Sequence, residues 1–488
     1  MDCYLGLDFG TTSVKVTAMD HFGQVIAKAH VPCSTISPEP GWFEVDAEAM
    51  WRGGLLKSLR AIDPQVVRTV RAICISSVCA SFVPVDDGLD PIYNAILYGI
   101  DTRAAEQVDR LNARYAQDVL ARVSGSGFTS HSVPPKLLWL KERLPGIYER
   151  TSHFLESSNF VTSWLTGEVA WDAPSAAGGH MLDMEKGAYP LDLLGDMGLD
   201  SRKLPPLANP LDVLGRVSAR AAAKTGLPEG ASVLVGACDV NAEAFACAAV
   251  DPGELTFVYG STVSTLFILD RFKSIPGFIT GPSVLGGTYR VGGATSSGGR
   301  YLDWVRKLLR MEGIPKISST SLPSGLLMVP FLDGARTPNQ NPDARVLWYG
   351  MDSSTSQADL WKAAIEGIGY ELFRLLQRLK AAAPLPQELH AMGGLASNRD
   401  FLQIACNIMG IGHRHFSDID ASYGDCLMAL SVDRGLETVR SIWKERLVTS
   451  DGEAGNCMLV EPEAGAFERY ALMREKYAMF EDTALRLA

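Results

Sequence analysis

The stretch Tyr4-Leu5-Gly6-Leu7-Asp8-Phe9-Gly10-Thr11-Thr12-Ser13-Val14-Lys15-Val16 decides the fold of this chain. An apolar run ends in an acid, a Gly-Thr-Thr-Ser turn follows, and the apolar residues Val14, Val16 and Ala18 then alternate. The pattern predicts a strand, a tight polar turn and a returning strand. Gly10 has access to backbone angles closed to other residues, and three hydroxyl side chains follow it directly. Backbone N–H groups and hydroxyls in such a turn can hold a phosphate. Asp8 stands at its mouth, where the divalent cation accompanying a phosphate needs a hard oxygen ligand. The plain alternative is an ordinary hairpin with a hydroxyl-rich turn.

A second stretch repeats the logic. Glu254-Leu255-Thr256-Phe257-Val258-Tyr259-Gly260-Ser261-Thr262-Val263-Ser264-Thr265-Leu266-Phe267-Ile268 enters a Gly-Ser-Thr turn as a strand and leaves it as one. Two such hairpins a domain's length apart predict two similar halves, each lending a phosphate-gripping turn to a cleft between them. Further on, Gly393-Gly394 precedes a helix predicted over 401–409. The glycines would permit close approach of a flat base or ribose, with Asn398 available to hydrogen-bond it; a bare strand-to-helix turn is the alternative. Buried strands are expected over 72–78 and 231–237, and helices over 241–249 and 358–379. Another helix is expected to be capped by Ser422-Tyr423-Gly424-Asp425.

Composition narrows the class. A chain of 488 residues exceeds one ordinary core and implies more than one domain. With 47% hydrophobic and 21% charged residues it is globular, not disordered. A net charge of −11 argues against a general nucleic-acid or anionic-membrane surface. The nine cysteines are scattered, with no Cys/His pair at zinc spacing, as expected of reduced thiols. The first residues lack a basic segment and an unbroken apolar run, and no run is long enough to span a bilayer. The expectation is a soluble cytoplasmic protein. The Asp8-Phe9-Gly10 triplet found in protein kinases lacks that family's preceding glycine loop, lysine strand and HRD loop. His413-Arg414-His415 puts two histidines on one face of a strand, but no third ligand is near; a solvated strand end is expected there.

Taken in order, these stretches resemble the FGGY family of carbohydrate kinases. The likeness is carried by the turn from Asp8 to Lys15, by Gly41-Trp42 with Asp46 and Trp51, and by Ala95-Ile96-Leu97-Tyr98-Gly99-Ile100-Asp101-Thr102-Arg103. Leu165-Thr166-Gly167-Glu168, Gly236-Ala237-Cys238-Asp239, Gly260-Ser261-Thr262, Arg336-Thr337-Pro338 and Gly393-Gly394 extend it over nearly the whole chain. The resemblance implies an α/β protein of two RNase-H-like (actin-like ATPase) domains with a cleft between them, drawn here as 1–242 and 243–488. It implies phosphoryl transfer from ATP, with Mg²⁺, to a hydroxyl of a small sugar or polyol, a ketopentose such as xylulose first among them. A homodimer is compatible with it.

The same resemblance assigns roles. Asp239 is the general base and a substrate contact, although an acid there also reads as a helix N-cap. Asp8 serves the metal, Gly10, Thr11 and Thr12 face the transferred phosphate, and Gly260, Ser261 and Thr262 lie opposite. Gly393, Gly394 and Asn398 serve the adenosine. Asp101 is a sugar contact, and Arg103 either joins it or holds it in place. Lys15 reads as a solvated strand lysine and Glu243 as a surface helix residue. The xylulokinase branch carries Gln-Met-His-Gly where this chain has Val78-Cys79-Ala80-Ser81, so its methionine and histidine sugar contacts have no counterparts here. Cys79 then stands beside the sugar, or is merely a small core residue. The glycerol-kinase Asn-Gln-Arg-Glu run is also absent. Competing readings are an actin-like ATPase with a chaperone or regulatory role, and a lapsed sugar sensor.

Overall fold

β1 (Cys3–Phe9) is buried at every position, as expected of a strand inside a sheet covered on both faces. It turns back antiparallel into β2 (Ser13–Asp20), with Asp8 opposite Lys15 and Phe9 opposite Val14; β3 (Val25–Pro32) continues the meander. β4 (Val70–Ser77), β5 (Val213–Arg216), β6 (Ser232–Leu234) and β7 (Ala237–Cys238) complete the sheet in the order β5-β6-β4-β1-β2-β3. β4 runs parallel to β1 and to β6, and β5 closes the edge antiparallel. β7 pairs with the far end of β4, so the strand expected over 231–237 is broken in two.

One face of β1 sends Leu5, Leu7 and Phe9 into a core with Trp51, Leu55 and Leu59. The other face carries the helix Ala421–Arg434, buried from Ala421 through Ser431. Contact there is backbone to backbone. A Cβ on Gly6 would lie 1.9 Å from the Ser422 carbonyl oxygen, and one on Gly424 would lie 1.9 Å from that of Ala242. Gly424 therefore lets this helix press directly against the helix Asp239–Ala246. The N-cap is Asp420, whose Oδ1 accepts from the Tyr423 N–H and the Ser422 hydroxyl, rather than Ser422 itself.

The structure is a computed structural model and describes residues 2–124, 127–315, 322–448 and 457–488. Two compact units emerge. The first takes Met1–Val250, Ile279–Arg290 and Ile419–Glu445; the second takes Asp251–Phe278, Val291–Asp418 and Arg446–Ala488. These units are not contiguous in sequence, unlike the division drawn at 242/243. The helix Asp239–Ala246 stays with the first unit, and two later segments return to it, one of them supplying the helix that covers β1.

In the second unit, β8 (Leu255–Tyr259), β9 (Val263–Leu269), β10 (Glu388–Met392), β11 (Gly412–Phe416) and β12 (Cys457–Val460) run in the order β9-β8-β10-β11-β12. A hairpin, two parallel pairings and an antiparallel edge follow one another, as they do in β2-β1-β4-β6-β5. The halves expected from the two hairpins share a topology. His413 and His415 correct the solvated strand end, for both are buried. His413 Nδ1 faces the Ile411 carbonyl at 2.9 Å and so carries the proton, leaving Nε2 to accept from the Tyr259 hydroxyl at 2.7 Å.

Substituting Gly424→Ala should drive the helix Ala421–Arg434 off the Ala242 carbonyl and cost about 1–3 kcal/mol of stability. Urea unfolding measures this. An unchanged midpoint would show that the two helices can separate freely.

Candidate active site

The site in the first unit forms at the carboxyl end of the parallel strands. Asp8 lies opposite Ser76 of β4, while Cys238 pairs with Ser77, so Asp8 and Asp239 emerge from neighbouring strand ends. Loops at this end of an α/β sheet are where ligands characteristically bind. The turn after β1 is closed by the Gly10 N–H donating to the Ser13 carbonyl at 2.9 Å. Thr11 is half-buried and Thr12 exposed. Gly10 does not use a left-handed φ, contrary to expectation; a Cβ there would instead crowd the Ser13 oxygen at 3.2 Å.

Charge at this end is shared. Lys15 Nζ donates to Asp8 Oδ2 at 3.3 Å and stands 4.0 Å from Asp420 Oδ2. Burial pushes the Asp8 carboxyl up, Lys15 draws it down, and Asp420 pushes it up again. Burial also acts to lower Lys15, but Asp8, Asp420 and Glu243 together hold its ammonium above the ordinary value. Lys15 is thus a partly exposed strand lysine that is also paired with Asp8. Glu243 is not a surface residue. It is half-buried, and burial, then Asp239 and Asp8, drive its carboxyl well above the usual range.

Asp239 opens the helix Asp239–Ala246, with Cys238 in the N-cap position. Its Oδ1 accepts from the Val240 N–H at 2.7 Å, leaving Oδ2 without a hydrogen-bond donor among the described residues. Burial and then the Asp8 charge push its pKa up to about 7, against the pull of the Val240 N–H, Lys15 and Arg290. A carboxylate with one free oxygen and a pKa near neutrality is suited to accept a proton.

Asp101 and Arg103 are brought together but turned inward. Arg103 Nε and Nη2 fork onto the Asp101 carboxylate at 2.8–3.0 Å, and the Phe43 N–H donates to Asp101 Oδ2 at 2.7 Å. Arg103 Nη1 reaches Glu44 at 2.8 Å, and Trp42 covers the guanidinium 4.4 Å from its centre. Neither side chain has exposed surface. The two residues expected at the sugar thus form a clasp with Glu44 and the Phe43 backbone beside Trp42. Lys136 adds to it, donating to the Leu97 and Tyr98 carbonyls; burial lowers its pKa to about 7. Cys79 is half-buried, and contact with the Cys238 thiol, then burial, keep its own thiol protonated.

In the second unit, the carbonyls of Gly260 and Ser261 accept from the N–H groups of Gly299 and Arg300, the first residues of the helix Gly299–Leu308. Ser261 is exposed and Thr262 half-buried. The Leu395 N–H donates to the Tyr259 carbonyl at 2.9 Å, bringing the Gly393-Gly394 turn beside the Gly260 turn. Gly393 takes a φ of +95°, where a Cβ would meet the Tyr259 oxygen at 2.7 Å. Asn398 is partly committed, its Oδ1 capping the helix Arg399–Met409 through the Phe401 N–H.

No group of three or more potential protein ligands for a metal occurs among the described residues. Asp8, beside a hydroxyl-bearing turn, fits Mg²⁺, which keeps much of its water and rides on nucleotide phosphates. Lys15, Glu243 and Asp420 were not legible as partners of Asp8. Only the cross-strand position of Lys15 and the one-turn spacing of Asp239 and Glu243 hinted at two of them.

The chain is similar to known proteins over most of its length. The N-terminal domain model of the FGGY family of carbohydrate kinases matches residues 3–246, and the C-terminal domain model matches 255–430. A xylulose kinase of Klebsiella pneumoniae is 26% identical over 440 residues, covering 87% of this chain and 89% of the relative. A probable L-xylulose kinase of Pasteurella multocida is 26% identical over 502 residues, covering 100% and 99%. The crystal structure of a xylulose kinase from Rhodospirillum rubrum matches with a TM-score of 0.88 at 23% identity, covering 99% and 98%. The architecture is the two-domain, actin-like ATPase fold of such kinases.

Asp8 raises Asp239, so removing its charge should lower it. Carboxyl-carbon NMR of the metal-free protein should find Asp239 titrating near pH 7, and distinctly lower in Asp8→Asn. An Asp239 midpoint that does not move would mean burial alone sets it.

Proposed function

Because the chain belongs to the FGGY family of carbohydrate kinases, we propose that Asp239 is the general base for phosphoryl transfer from ATP to a hydroxyl of its sugar or polyol acceptor. The observation that carries this reading is the partner-free Asp239 Oδ2 beside Asp8, on a carboxylate held near neutral pKa. The acceptor hydroxyl gives its proton to Oδ2 as its oxygen bonds to phosphorus and the bridging oxygen leaves with ADP. Phosphoryl transfer needs little covalent help from the protein, so positioning and charge supply most of the rate.

Asp8 would hold Mg²⁺ through its waters, and the ion would neutralise charge on the phosphates. Gly10, Thr11 and Thr12 offer the turn's N–H and hydroxyl groups to the transferred phosphate. Gly260, Ser261 and Thr262 do the same from the second unit, and Gly393, Gly394 and the Asn398 amide serve the adenosine. Lys15 keeps Asp8 ionised and is a second source of positive charge beside the phosphate. The clasp of Asp101, Arg103 and Glu44 holds the sugar-side loop.

The relatives' names point to a ketopentose as the first acceptor to try. Cys79 is where the chain departs from the xylulokinase pattern, so the acceptor need not be xylulose itself.

ADP release with Mg-ATP, across ketopentoses, tetritols, pentitols, hexuloses and sugar acids, tests the reading. One acceptor should stimulate strongly, and Asp239→Asn should lower kcat by about 10²–10⁴-fold. Since only ionised Asp239 accepts a proton, kcat/KM should rise with pH to a plateau. Its midpoint should lie at or below about 7, because bound magnesium adds positive charge. Acceptor-independent hydrolysis that survives in Asp239→Asn would replace this role with that of a plain actin-like ATPase.

A further inference from the structure

Arg290 is a buried charged side chain of the first unit that the mechanism above leaves idle. It is 4% exposed. Nη2 donates to the Pro174 carbonyl at 3.0 Å, while Nε is buried and has no hydrogen-bond partner. Among the described residues no carboxylate forms an ion pair with it. Most buried guanidinium groups are matched by a carboxylate, because an unmatched one is costly; Arg103, doubly paired, is the example in this same unit.

Its position is on the acceptor side. A Cβ on Gly178 would lie 3.6 Å from Arg290 Nη2 and 3.3 Å from Cys79 Sγ, so guanidinium, thiol and helix end converge there. The charge of Arg290 is felt at Cys79, Asp172 and Asp239. Asp172 caps the helix Ala173–Gly178 through the Ser175 N–H, and its Oδ2 is buried without a partner. Both carboxyls feel the guanidinium across space, but among the described residues neither closes an ion pair with it. An acceptor hydroxyl placed here would supply a hydrogen bond and leave the charge. A carboxylate would supply both, in the charge-assisted geometry for which arginine is suited.

Resting on the kinase reading above, we propose that Arg290 is a specificity residue that binds a carboxylate on the acceptor, and that the acceptor is a sugar acid, an aldonate or ketoaldonate. The phosphorylated hydroxyl meets Asp239 while the acid end meets Arg290. This narrows the acceptor beyond a neutral ketopentose and leaves the phosphoryl chemistry unchanged.

The experiment compares five- and six-carbon aldonates and ketoaldonates with neutral ketoses and polyols of the same length. ADP release and calorimetric binding are both read, on the full chain and on Arg290→Gln and Arg290→Lys. The expected result is a higher kcat/KM for an acid than for its neutral counterpart. In Arg290→Gln the acid's KM should rise about 10- to 100-fold, with partial recovery in Arg290→Lys and the neutral acceptors' KM unmoved. If Arg290→Gln fails to fold by circular dichroism, the acid-to-neutral ratio of the unaltered protein and of Arg290→Lys decides. Preference for a neutral sugar, with a ratio indifferent to the substitutions, overturns the proposal and leaves the kinase reading standing. A panel in which nothing stimulates ADP release takes down both.

Discussion

Mutual repulsion among carboxylates, checked by one lysine, is the constraint on which the first unit's chemistry depends. Asp8 raises the pKa of Asp239, Asp8 and Asp239 together raise that of Glu243, and Asp420 adds to the effect on Asp8 and Glu243. Lys15 is the cation that opposes all of these. Groups coupled in this way titrate as a set rather than singly. The arrangement makes local charge responsive to whatever cation or phosphate arrives. A cation held at Asp8 would favour the anionic forms around it, Asp239 included. Burial supplies the starting point by keeping these acids partly neutral.

Such an arrangement needs a rigid frame, and backbone contact provides it. Gly6 and Gly424 let the helix Ala421–Arg434 touch both β1 and the helix Asp239–Ala246 with no side chain between. Asp425 on that helix accepts from the Ser76 hydroxyl at 2.7 Å, tying it to β4 as well. Asp8, Ser76 and Asp239 are thus referenced to one buried element, reached only after nearly the whole second unit has been traversed. Dense packing transmits small displacements, so the carboxylate spacing is set by this helix as much as by the strands.

The sequence made the local grammar plain. The two hairpins, the acid before the first turn and Asp239 at a strand end could be read because strand, turn and cap signals are local. What could not be read depended on contacts between distant residues. Glu243 looked like a surface residue because the helix that buries its surroundings lies far along the chain. Nothing in Asp101-Thr102-Arg103 reveals that Glu44, Phe43 and Trp42 close over the pair. Arg290 drew no attention, since its importance lies in what it fails to pair with. The return of 279–290 and 419–445 to the first unit likewise has no signature in a linear reading.

The shared topology of the two units separates what their common architecture supplies from what one of them has added. Beside each first turn, the strand pair carries one diagnostic cross-strand position. In the first unit it holds Asp8 opposite Lys15; in the second, Val258 opposite Ser264. Both turns keep a glycine followed by hydroxyls, the features that hold a phosphate. Charge at the flanking position is present in one half only. The turn is therefore the architectural element and the Asp8–Lys15 pair a specialisation grafted onto it. Placing an acid at Val258 would set up a second carboxylate with no lysine to check it, which is reason enough for that position to remain apolar.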